Sequence, residues 1–215
     1  MSEIKACIIV PSHISSVERL TYLQQCLRSL TNQTVKIPVY LSTSFATDEL
    51  KAAFDAIRDD DENVVVVNRN TQLSQFKHIK AIYDEYGSNY DYFMFCDDDD
   101  LYHRTRVKRF VAEISRLEQQ VLKVGSKQRV LCVLSSYTIQ PGSILSGEGE
   151  YWSYCLNTTI LKCFFDFLSS NSYEEDILNH EFADTIFVDY IRKIDYRNYV
   201  HGYITEVLYN TQKVG

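Results

Sequence analysis

Short apolar runs alternate along the chain with longer segments whose apolar residues recur every three or four positions. The first pattern predicts buried strands and the second predicts amphipathic helices. Strands are predicted at 4–10, 35–41, 63–68, 90–96 and 129–135. Helices are predicted after a capping-box sequence at 15–18, and at 48–58, 73–86 and 104–121. Strand–helix units in series predict a parallel sheet with right-handed crossovers.

This alternation stops after Ser136. Residues 137–158 contain glycines, a proline and then aromatic residues, and a long irregular stretch inside a compact domain is usually functional or mobile. Gly147 and Gly149 are candidates for a lid that orders on ligand binding. Helical spacing resumes at 159–168 and 181–194, and 200–209 predicts a final strand or hairpin.

The bulk properties fit one α/β domain. The chain has 215 residues, of which 45% are hydrophobic and 24% are charged, and this suffices for a single core. We predict one domain over 1–215, with a nucleotide-binding half at 1–136 and a second half at 137–215. The net charge of -7 argues against a nucleic-acid partner, which normally meets a basic stripe.

Cysteine placement and the N-terminal sequence bear on the compartment. None of the six cysteines forms a C-x-x-C pair, so a zinc ribbon is not expected. Cys7, Cys96 and Cys132 lie in apolar runs and are expected to be buried, reduced thiols. Because the sequence shows neither a signal peptide nor an apolar segment of ~20 residues, we expect a cytoplasmic protein without a membrane span.

The strongest chemical signal is the acid run, Asp97 to Asp100, which directly follows the strand predicted at 90–96. Acids in this position lie at the carboxyl edge of the sheet, where open α/β sheets bind ligands. Four adjacent carboxylates repel one another unless a cation is near, and a hard divalent metal takes oxygen ligands. Such a metal would in turn hold phosphates. An equally acidic run at 59–62 precedes its strand and is expected to be a solvated turn.

Two other kinds of acidic loop do not fit the acid run. An EF-hand loop needs glycine at its sixth position and glutamate at its twelfth, and these positions hold Tyr102 and Lys108. A phosphatase with a D-x-D-x-T motif carries its acids after the first strand, with threonine or valine next. Here the acids follow the fourth predicted strand and Leu101 comes next.

Four segments together resemble family 2 glycosyltransferases with the GT-A fold. IIVPS at 8–12 and LQQCLRSLTNQT at 23–34 are similar to that family's first strand and to its first helix, which ends in SL-x-x-QT. FCDDDDLY at 95–102 resembles its D-x-D motif, and FADT at 182–185 lies where the family has its ED motif. The short chain also resembles glycosyltransferase domains encoded by large algal (chlorella) viruses.

This resemblance implies a Rossmann-like, mostly parallel sheet flanked by helices, with a smaller acceptor-side region. It implies inverting transfer of a hexose or deoxyhexose from a nucleotide-diphosphate sugar to a glycan hydroxyl. Mn²⁺ or Mg²⁺ would neutralise the leaving diphosphate as a Lewis acid. Asp97 and Asp99 share one face of an extended segment and are the implied metal ligands. Asp97 is also a candidate for the ribose, and Asp98 and Asp100 are candidates for supporting the two ligands.

The donor's base and ribose are expected where the first strand ends, at Pro11, Ser12 and His13. Many family members carry acids after the second strand, the first of which reads the base. The segment 42–48 of this chain departs from that pattern, because only its tail, Thr47-Asp48, matches. A hydroxyl would then replace the carboxylate as the base reader, and Ser42 is the candidate. Uridine is the first candidate base.

Asp184 is the general base that the resemblance implies, because the attacking hydroxyl must lose a proton. The alternative for this residue is a carboxylate that the helix dipole favours at a helix start. Glu181 and Asp189 are reserve candidates for the base.

Cationic and polar residues after the third predicted strand are candidates for the donor's diphosphate. Arg69 lies at the end of that strand, and Lys77 lies near the start of the next helix with Gln75 and His78. Ordinary surface polarity is the alternative for this cluster.

Aromatic and histidine candidates lie further along the chain. Trp152, with Tyr151 and Tyr154, is a candidate for stacking on the donor sugar or the acceptor, and burial in the core is the alternative. His103 and His201 are candidates for the metal or the diphosphate, with an exposed helix start and a strand edge as their alternatives.

Two other functions stay open. A sugar nucleotidyltransferase shares the layered sheet but needs a glycine-rich basic loop after the first strand, and 11–15 has neither glycine nor a fixed positive charge. A carbohydrate- or nucleotide-binding module that has lost catalysis is the alternative from another class. The complete acid run argues against this second alternative.

Overall fold

The computed structural model describes residues 4–125, 129–138, 143–145, 150–172, 174–180, 182–194 and 199–211. Its strands are β1 (Ala6–Ile14), β2 (Val39–Phe45), β3 (Val64–Asn68), β4 (Tyr92–Phe95), β5 (Leu101–Tyr102), β6 (Arg129–Thr138), β7 (Tyr154–Asn157) and β8 (Tyr199–Asn210). Its α-helices are α1 (Val17–Thr31), α2 (Asp48–Ile57), α3 (Gln75–Tyr86), α4 (Arg106–Lys123), α5 (Thr158–Ser169), α6 (Glu174–Leu178) and α7 (Ala183–Lys193). Short 3₁₀ helices at Gly87–Asn89 and Tyr151–Ser153 complete the described elements.

The strands form one sheet in the order β3-β2-β1-β4-β7-β6-β8-β5. β1, β2, β3 and β4 are parallel, and β6 and β8 are parallel to each other. β7 is antiparallel to both β4 and β6, and β5 is antiparallel to β8. Six strands therefore run one way and two run the other, which confirms the predicted mostly parallel α/β sheet.

β7 was not predicted, because it lies in the stretch 137–158 that looks irregular in sequence. Four residues are too few to show a clear period, but Cys155 and Leu156 are completely buried between β4 and β6. The second half of the chain thus supplies a strand to the middle of the sheet. The lid expected at Gly147 and Gly149 lies outside the described residues.

β1 and β2 extend further along the chain than predicted. β1 continues through Pro11 to Ile14, because its pairing with β4 ends at Ile9 and only β2 accompanies it beyond that point. Proline is tolerated where one side of a strand has no ladder partner. β2 begins at Val39 and ends at Phe45, so Ser42 lies inside a strand, in register with Pro11.

Helix α1 starts beside the end of β1. Its N-cap is Ser16, whose hydroxyl accepts the backbone N–H of Arg19 at 3.3 Å, rather than Ser15 of the expected capping box. Helix α4 buries Val107, Phe110 and Ile114 along one face, as their spacing predicts. Of the helices in the described ranges, none has the length and apolar character needed to cross a membrane.

Candidate active site

A cleft of about 410 Å³ opens at the carboxyl ends of β1 and β4. Its walls come from the end of β1, the first turns of α1 and α3, and the acid run. The lining residues are Pro11, Ser12, His13, Ser15, Arg19, Leu73, Gln75, His78, Asp97, Asp98 and Asp99. The fold therefore brings the predicted donor residues of β1 together with three acids that follow β4.

Asp97 is held at the inner end of the cleft by two side chains from distant segments. Its Oδ1 accepts a hydrogen bond from Gln75 Nε2 at 2.9 Å and another from the hydroxyl of Tyr151. Its backbone N–H donates to the hydroxyl of Tyr209 at 3.1 Å, and that hydroxyl donates to Asp100 at 2.9 Å. Asp97 and Asp100 are thus fixed by β8, α3 and the segment before β7.

Asp98 is bound by α1 and β1. Its Oδ2 accepts the Ser12 hydroxyl at 2.5 Å, and its Oδ1 accepts a hydrogen bond from Arg19 Nη2. Arg19 Nη1 also lies 3.7 Å from Asp99 Oδ2. One guanidinium group therefore sits beside two neighbouring carboxylates of the acid run.

The acid run is electrostatically costly where it lies. Burial raises the pKa of Asp97 well above its usual range, and the charges of Asp100, Asp99 and Asp98 raise it further. Burial also raises the pKa of Asp98, although Ser12 and Arg19 partly oppose the rise. Such shifts are found where burial and like charges are arranged for function.

The carboxylates of the acid run fit a metal site that substrate phosphates complete, and do not fit a site enclosed by protein side chains alone. In the described part of the chain, no group of three or more His, Cys, Asp or Glu side chains could enclose a metal ion. Asp97 and Asp99 nevertheless present hard oxygen atoms to the cleft, and the Asp99 side chain is 24% exposed. A Mg²⁺-type cation is typically held by one or two carboxylates plus substrate phosphates, and this arrangement fits the residues present.

Behind the cleft, Ser42, Arg69 and His78 form a polar cluster. Ser42 Oγ accepts the Arg69 Nε–H at 3.0 Å and lies 2.9 Å from His78 Nδ1. The Ser42 hydroxyl satisfies both neighbours when it donates to Nδ1, which leaves the His78 proton on Nε2. Within the described residues, His78 Nε2 and Arg69 Nη2 are buried without a hydrogen-bond partner. Burial and then the Arg69 charge lower the pKa of His78 to about 4, so it is neutral.

Three predicted donor residues do not line the cleft. Ser42 is buried in β2 beneath it, and Arg69 forms an ion pair with Glu85 at 2.5 Å. Lys77 points to Glu175, also at 2.5 Å. Arg69 and Lys77, which we expected to meet the diphosphate, are absent from the lining of the cleft, and the expectation for both is corrected on that ground.

The aromatic candidate Trp152 is part of the core. It is 5% exposed, its ring stacks on Tyr209 at 4.0 Å between centroids, and Tyr137 packs against it edge-on. Its ring is therefore not open to a sugar, which corrects the stacking role in favour of the core alternative. Tyr151 and Tyr154 are buried as well, and Tyr151 serves the site through its hydroxyl.

The two histidine candidates lie away from the cleft walls. His103 is exposed, and its Nδ1 lies 2.9 Å from the Thr105 hydroxyl. His201 is exposed on β8 in register with Cys132. Both match the structural alternatives considered for them.

Asp184 lies in the first turn of α7 and is half-buried. Its Oδ1 accepts the backbone N–H of Thr185 at 2.7 Å. It lies close enough to Glu150 for its charge to raise the pKa of that carboxyl, after burial, which is the larger cause. Asp184 is absent from the lining of the cleft, and its charge acts on Glu150, which directly precedes Tyr151, the partner of Asp97. Of the reserve candidates, Asp189 is exposed on α7 and Glu181 lies outside the described residues.

Sequence reasoning missed Arg19 and Tyr209 as partners of the acid run. A signal for Arg19 does exist, because a cation in the first turn of a helix opposes the helix dipole and calls for a nearby anion. Tyr209 gives no such signal, since its hydroxyl reaches the acid run only through the position of β8 in the sheet.

The second acidic run, 59–62, shares no residue with this cleft. It borders a separate groove between α1, α2 and β3. Asp59 and Asp60 are exposed and lie 3.5 and 3.7 Å from Arg28 and Arg58. This placement confirms the predicted turn at the amino end of β3.

A polar cleft beside acids at the carboxyl edge of a mostly parallel sheet is typical of a nucleotide-binding α/β protein. Comparison with known protein families assigns the chain to one family within this class. Residues 7–140 match the model of the family described as Glycosyl transferase family 2. Because the match covers more than half of the chain, the chain belongs to glycosyl transferase family 2. Among curated proteins, no sequence match is found.

Solved structures share the fold. TarS from S. aureus superposes with a TM-score of 0.66 and 15% identity, over 98% of this chain and 37% of that one. A TarS 1–349 complex with UDP-GlcNAc has a TM-score of 0.64 and 15% identity, over 99% of this chain and 60% of that one. The same TarS fragment in complex with UDP has a TM-score of 0.62 and 14% identity, over 96% of this chain and 60% of that one. The chain thus spans only part of these proteins, and the likeness supports the GT-A fold. Nothing in the comparisons supports a viral origin.

Proposed function

We propose that the protein is an inverting glycosyltransferase that moves a hexose or deoxyhexose from a nucleotide-diphosphate sugar, with UDP as the first candidate nucleotide, to a glycan hydroxyl. The observation that carries the proposal is the meeting of Ser12, His13 and the acid run in one cleft, in a chain of glycosyl transferase family 2. TarS structures with UDP and UDP-GlcNAc support the choice of uridine.

The donor is placed along the cleft by residues from several strands. We assign the ribose to Pro11, Ser12 and Asp97, and the base to the side of the cleft where His13 and His78 lie. His78 lines that side of the cleft and would offer its Nε2–H to a carbonyl oxygen of uracil once the side chains that cover this buried atom move aside. Ser42 acts through His78, because its hydroxyl fixes the tautomer.

Asp184 is the proposed general base. As the acceptor oxygen attacks the anomeric carbon, its proton passes to the Asp184 carboxylate. The bond between the anomeric carbon and the diphosphate oxygen breaks on the opposite face, and the electron pair leaves with the nucleoside diphosphate. Direct displacement of this kind inverts the configuration at the anomeric carbon.

Asp99 and Asp97 are the proposed ligands of Mn²⁺ or Mg²⁺. A bound divalent cation would neutralise charge on the leaving diphosphate. The two carboxylates hold positions at the mouth and the inner end of the cleft, where Gln75 and Tyr151 orient Asp97. Metal dependence is testable in binding alone, before any acceptor is known.

The test is a calorimetric titration with UDP, GDP, CDP and dTDP, first with chelator and then with Mn²⁺. We expect tight binding of UDP in the presence of Mn²⁺ and a loss of that enhancement in Asp99→Ala. Unchanged Mn²⁺-dependent binding in Asp99→Ala would refute the metal assignment. Binding of none of the four nucleotides would instead favour a module that has lost catalysis.

Transfer is tested with the general base. Asp184→Asn should bind UDP as the wild type does and should lose at least a hundred-fold in sugar transfer or donor hydrolysis, which is the range of general-base effects. Asp166→Asn, an exposed aspartate on α5, is the matched control and should keep full activity. An active Asp184→Asn variant would move the base elsewhere.

A further inference from the structure

Arg19 is the fixed positive charge that the fold places on the wall of the cleft. Of the residues described as lining the cleft, it alone is a lysine or arginine. Arg69 and Lys77 are absent from that lining, and they pair with Glu85 and Glu175 away from it. An anionic ligand that enters beside the acid run therefore meets Arg19 as its available protein cation.

Asp98 holds this guanidinium in place. Both Asp98 oxygens are occupied, one by the Ser12 hydroxyl and one by Arg19, so this carboxylate serves as an anchor. The 3.7 Å approach of Arg19 to Asp99 is too long for a hydrogen bond. Most of the five guanidinium N–H donors are thus left for a ligand, and the side chain is 32% exposed.

The position of Arg19 in α1 is electrostatically unfavourable unless an anion lies close by. It lies in the first turn of α1, where the helix dipole favours negative charge and disfavours a cation. The carboxylates of Asp98 and Asp99 offset that cost. A phosphate placed there would meet both the helix terminus and a planar group that matches its geometry in two parallel hydrogen bonds.

We propose that Arg19 binds the diphosphate of the donor and stays on the departing nucleoside diphosphate, with Asp98 as the residue that positions it. This inference rests on the function proposed above and names a further residue for it. Arg19 keeps its protons throughout, and the electron pair of the broken bond to the anomeric carbon goes to the phosphate oxygen. Because the cleft carries its own cation, part of the diphosphate affinity is independent of a divalent metal.

The experiment titrates the wild type and Arg19→Gln with UDP, uridine and inorganic pyrophosphate, in chelator and then with Mn²⁺. In Arg19→Gln we expect ten-fold or greater weakening of UDP and pyrophosphate, with uridine unchanged. Arg19→Lys should recover part of the loss, because it restores the charge without the planar geometry. Arg28→Gln is the matched control on the same helix, since Arg28 is 62% exposed and faces Asp59.

For Asp98→Asn, the two possible roles of the carboxylate predict changes in UDP affinity of opposite sign. If the carboxylate acted only through its charge, its removal from an anion site would tighten UDP binding. If Asp98 positions Arg19, the variant should weaken UDP and pyrophosphate several-fold, and the salt dependence of the remaining affinity should decrease as in Arg19→Gln.

The outcomes separate this inference from the proposed function. Wild-type affinity for UDP in Arg19→Gln, or an equal loss of UDP and uridine, would overturn the role of Arg19 while the wild type still bound its nucleotide. Binding of no nucleoside diphosphate and no pyrophosphate by the wild type would overturn both. Thermal melting of each variant shows whether a loss reflects unfolding.

Discussion

At the scale of single residues, the burial of the acid run lowers the stability of the fold. Asp97 is buried among like charges, and its raised pKa means that its ionised form is less favourable in the folded chain than in the unfolded one. Asparagine at this position keeps the oxygen that accepts from Gln75 and Tyr151 and removes the charge.

Asp97→Asn is therefore expected to raise the free energy of unfolding at pH 8, because it removes a charge that burial and the neighbouring acids disfavour. The same variant should lose metal-dependent UDP binding. Urea denaturation and calorimetry measure the two effects. Asp60→Asn, in the exposed acidic run, should change neither, and a less stable Asp97→Asn variant would contradict the prediction.

His78 gives a pH dependence of defined sign. Its pKa falls from 6.5 unfolded to about 4 folded, so between these values the unfolded chain binds more protons and stability rises with pH. Between pH 7 and pH 5 the wild type should lose about 2 kcal/mol through this residue. His78→Gln lacks that contribution, and the difference between the two pH profiles cancels the other titrating groups. Identical profiles in urea denaturation would refute the prediction.

Residue roles were only partly predictable from sequence. The acid run and Ser12 could be placed because they follow apolar strands whose carboxyl ends meet at one edge. Arg69 and Lys77 could not, because their acidic partners, Glu85 and Glu175, come from elsewhere in the chain. The stacking role predicted for Trp152 was wrong for a related reason, since only the packing of Tyr209 and Tyr137 shows that its ring is buried.

At the scale of elements, periodicity predicted the long helices and the central strands well. The ends of strands differ from the prediction where pairing with a neighbouring strand determines them. For example, β2 extends to Phe45 because it pairs with β1 up to that residue. β7 was missed because four residues carry no usable period. The final segment formed one strand, β8, rather than a hairpin, since β6 offers it a parallel edge along most of its length.

The contact between α4 and β8 depends on a residue without a side chain. A Cβ atom on Gly202 would lie 2.9 Å from both Glu113 Oε1 and Leu117 Cδ1, closer than packed atoms allow. Both atoms are ends of side chains that can turn, but Leu117 is itself buried, so Gly202→Val should cost about 1 kcal/mol in the free energy of unfolding, at the low end of overpacking. Urea denaturation measures this, with Thr205→Val on an exposed position of the same strand as control. Equal stability of the two variants would show that α4 moves aside freely.

At the scale of the whole molecule, the predicted division at residue 136 does not divide the sheet. β7 lies between β4 and β6, and Tyr151 and Tyr209 hold the acid run that belongs to the first half. The two halves are therefore expected to fold as one cooperative unit.

A chain of residues 1–136 should accordingly fail to fold alone. It would leave the edge of β4 unpaired, which favours aggregation, and would lack the tyrosine contacts to Asp97. Circular dichroism and nucleotide titration of this fragment are the measurements. The full chain should show a single unfolding transition, whereas a cooperative melt of the fragment would mean that the halves are separable.

The insertion of β7 also has a consequence in time. β4 ends at Phe95 and β7 begins at Tyr154, so a ribosome working at ~5–20 residues per second delivers the second strand roughly 3–12 seconds after the first. Until β7 is made, the edge of β4 that β7 later covers has no partner from β7. Tyr209, whose hydroxyl bonds to Asp97 and Asp100 after the end of β4, is synthesised later still. The edge of the sheet that bears the cleft is thus among the last parts of the protein to be completed during synthesis, although most of its charged residues are made early.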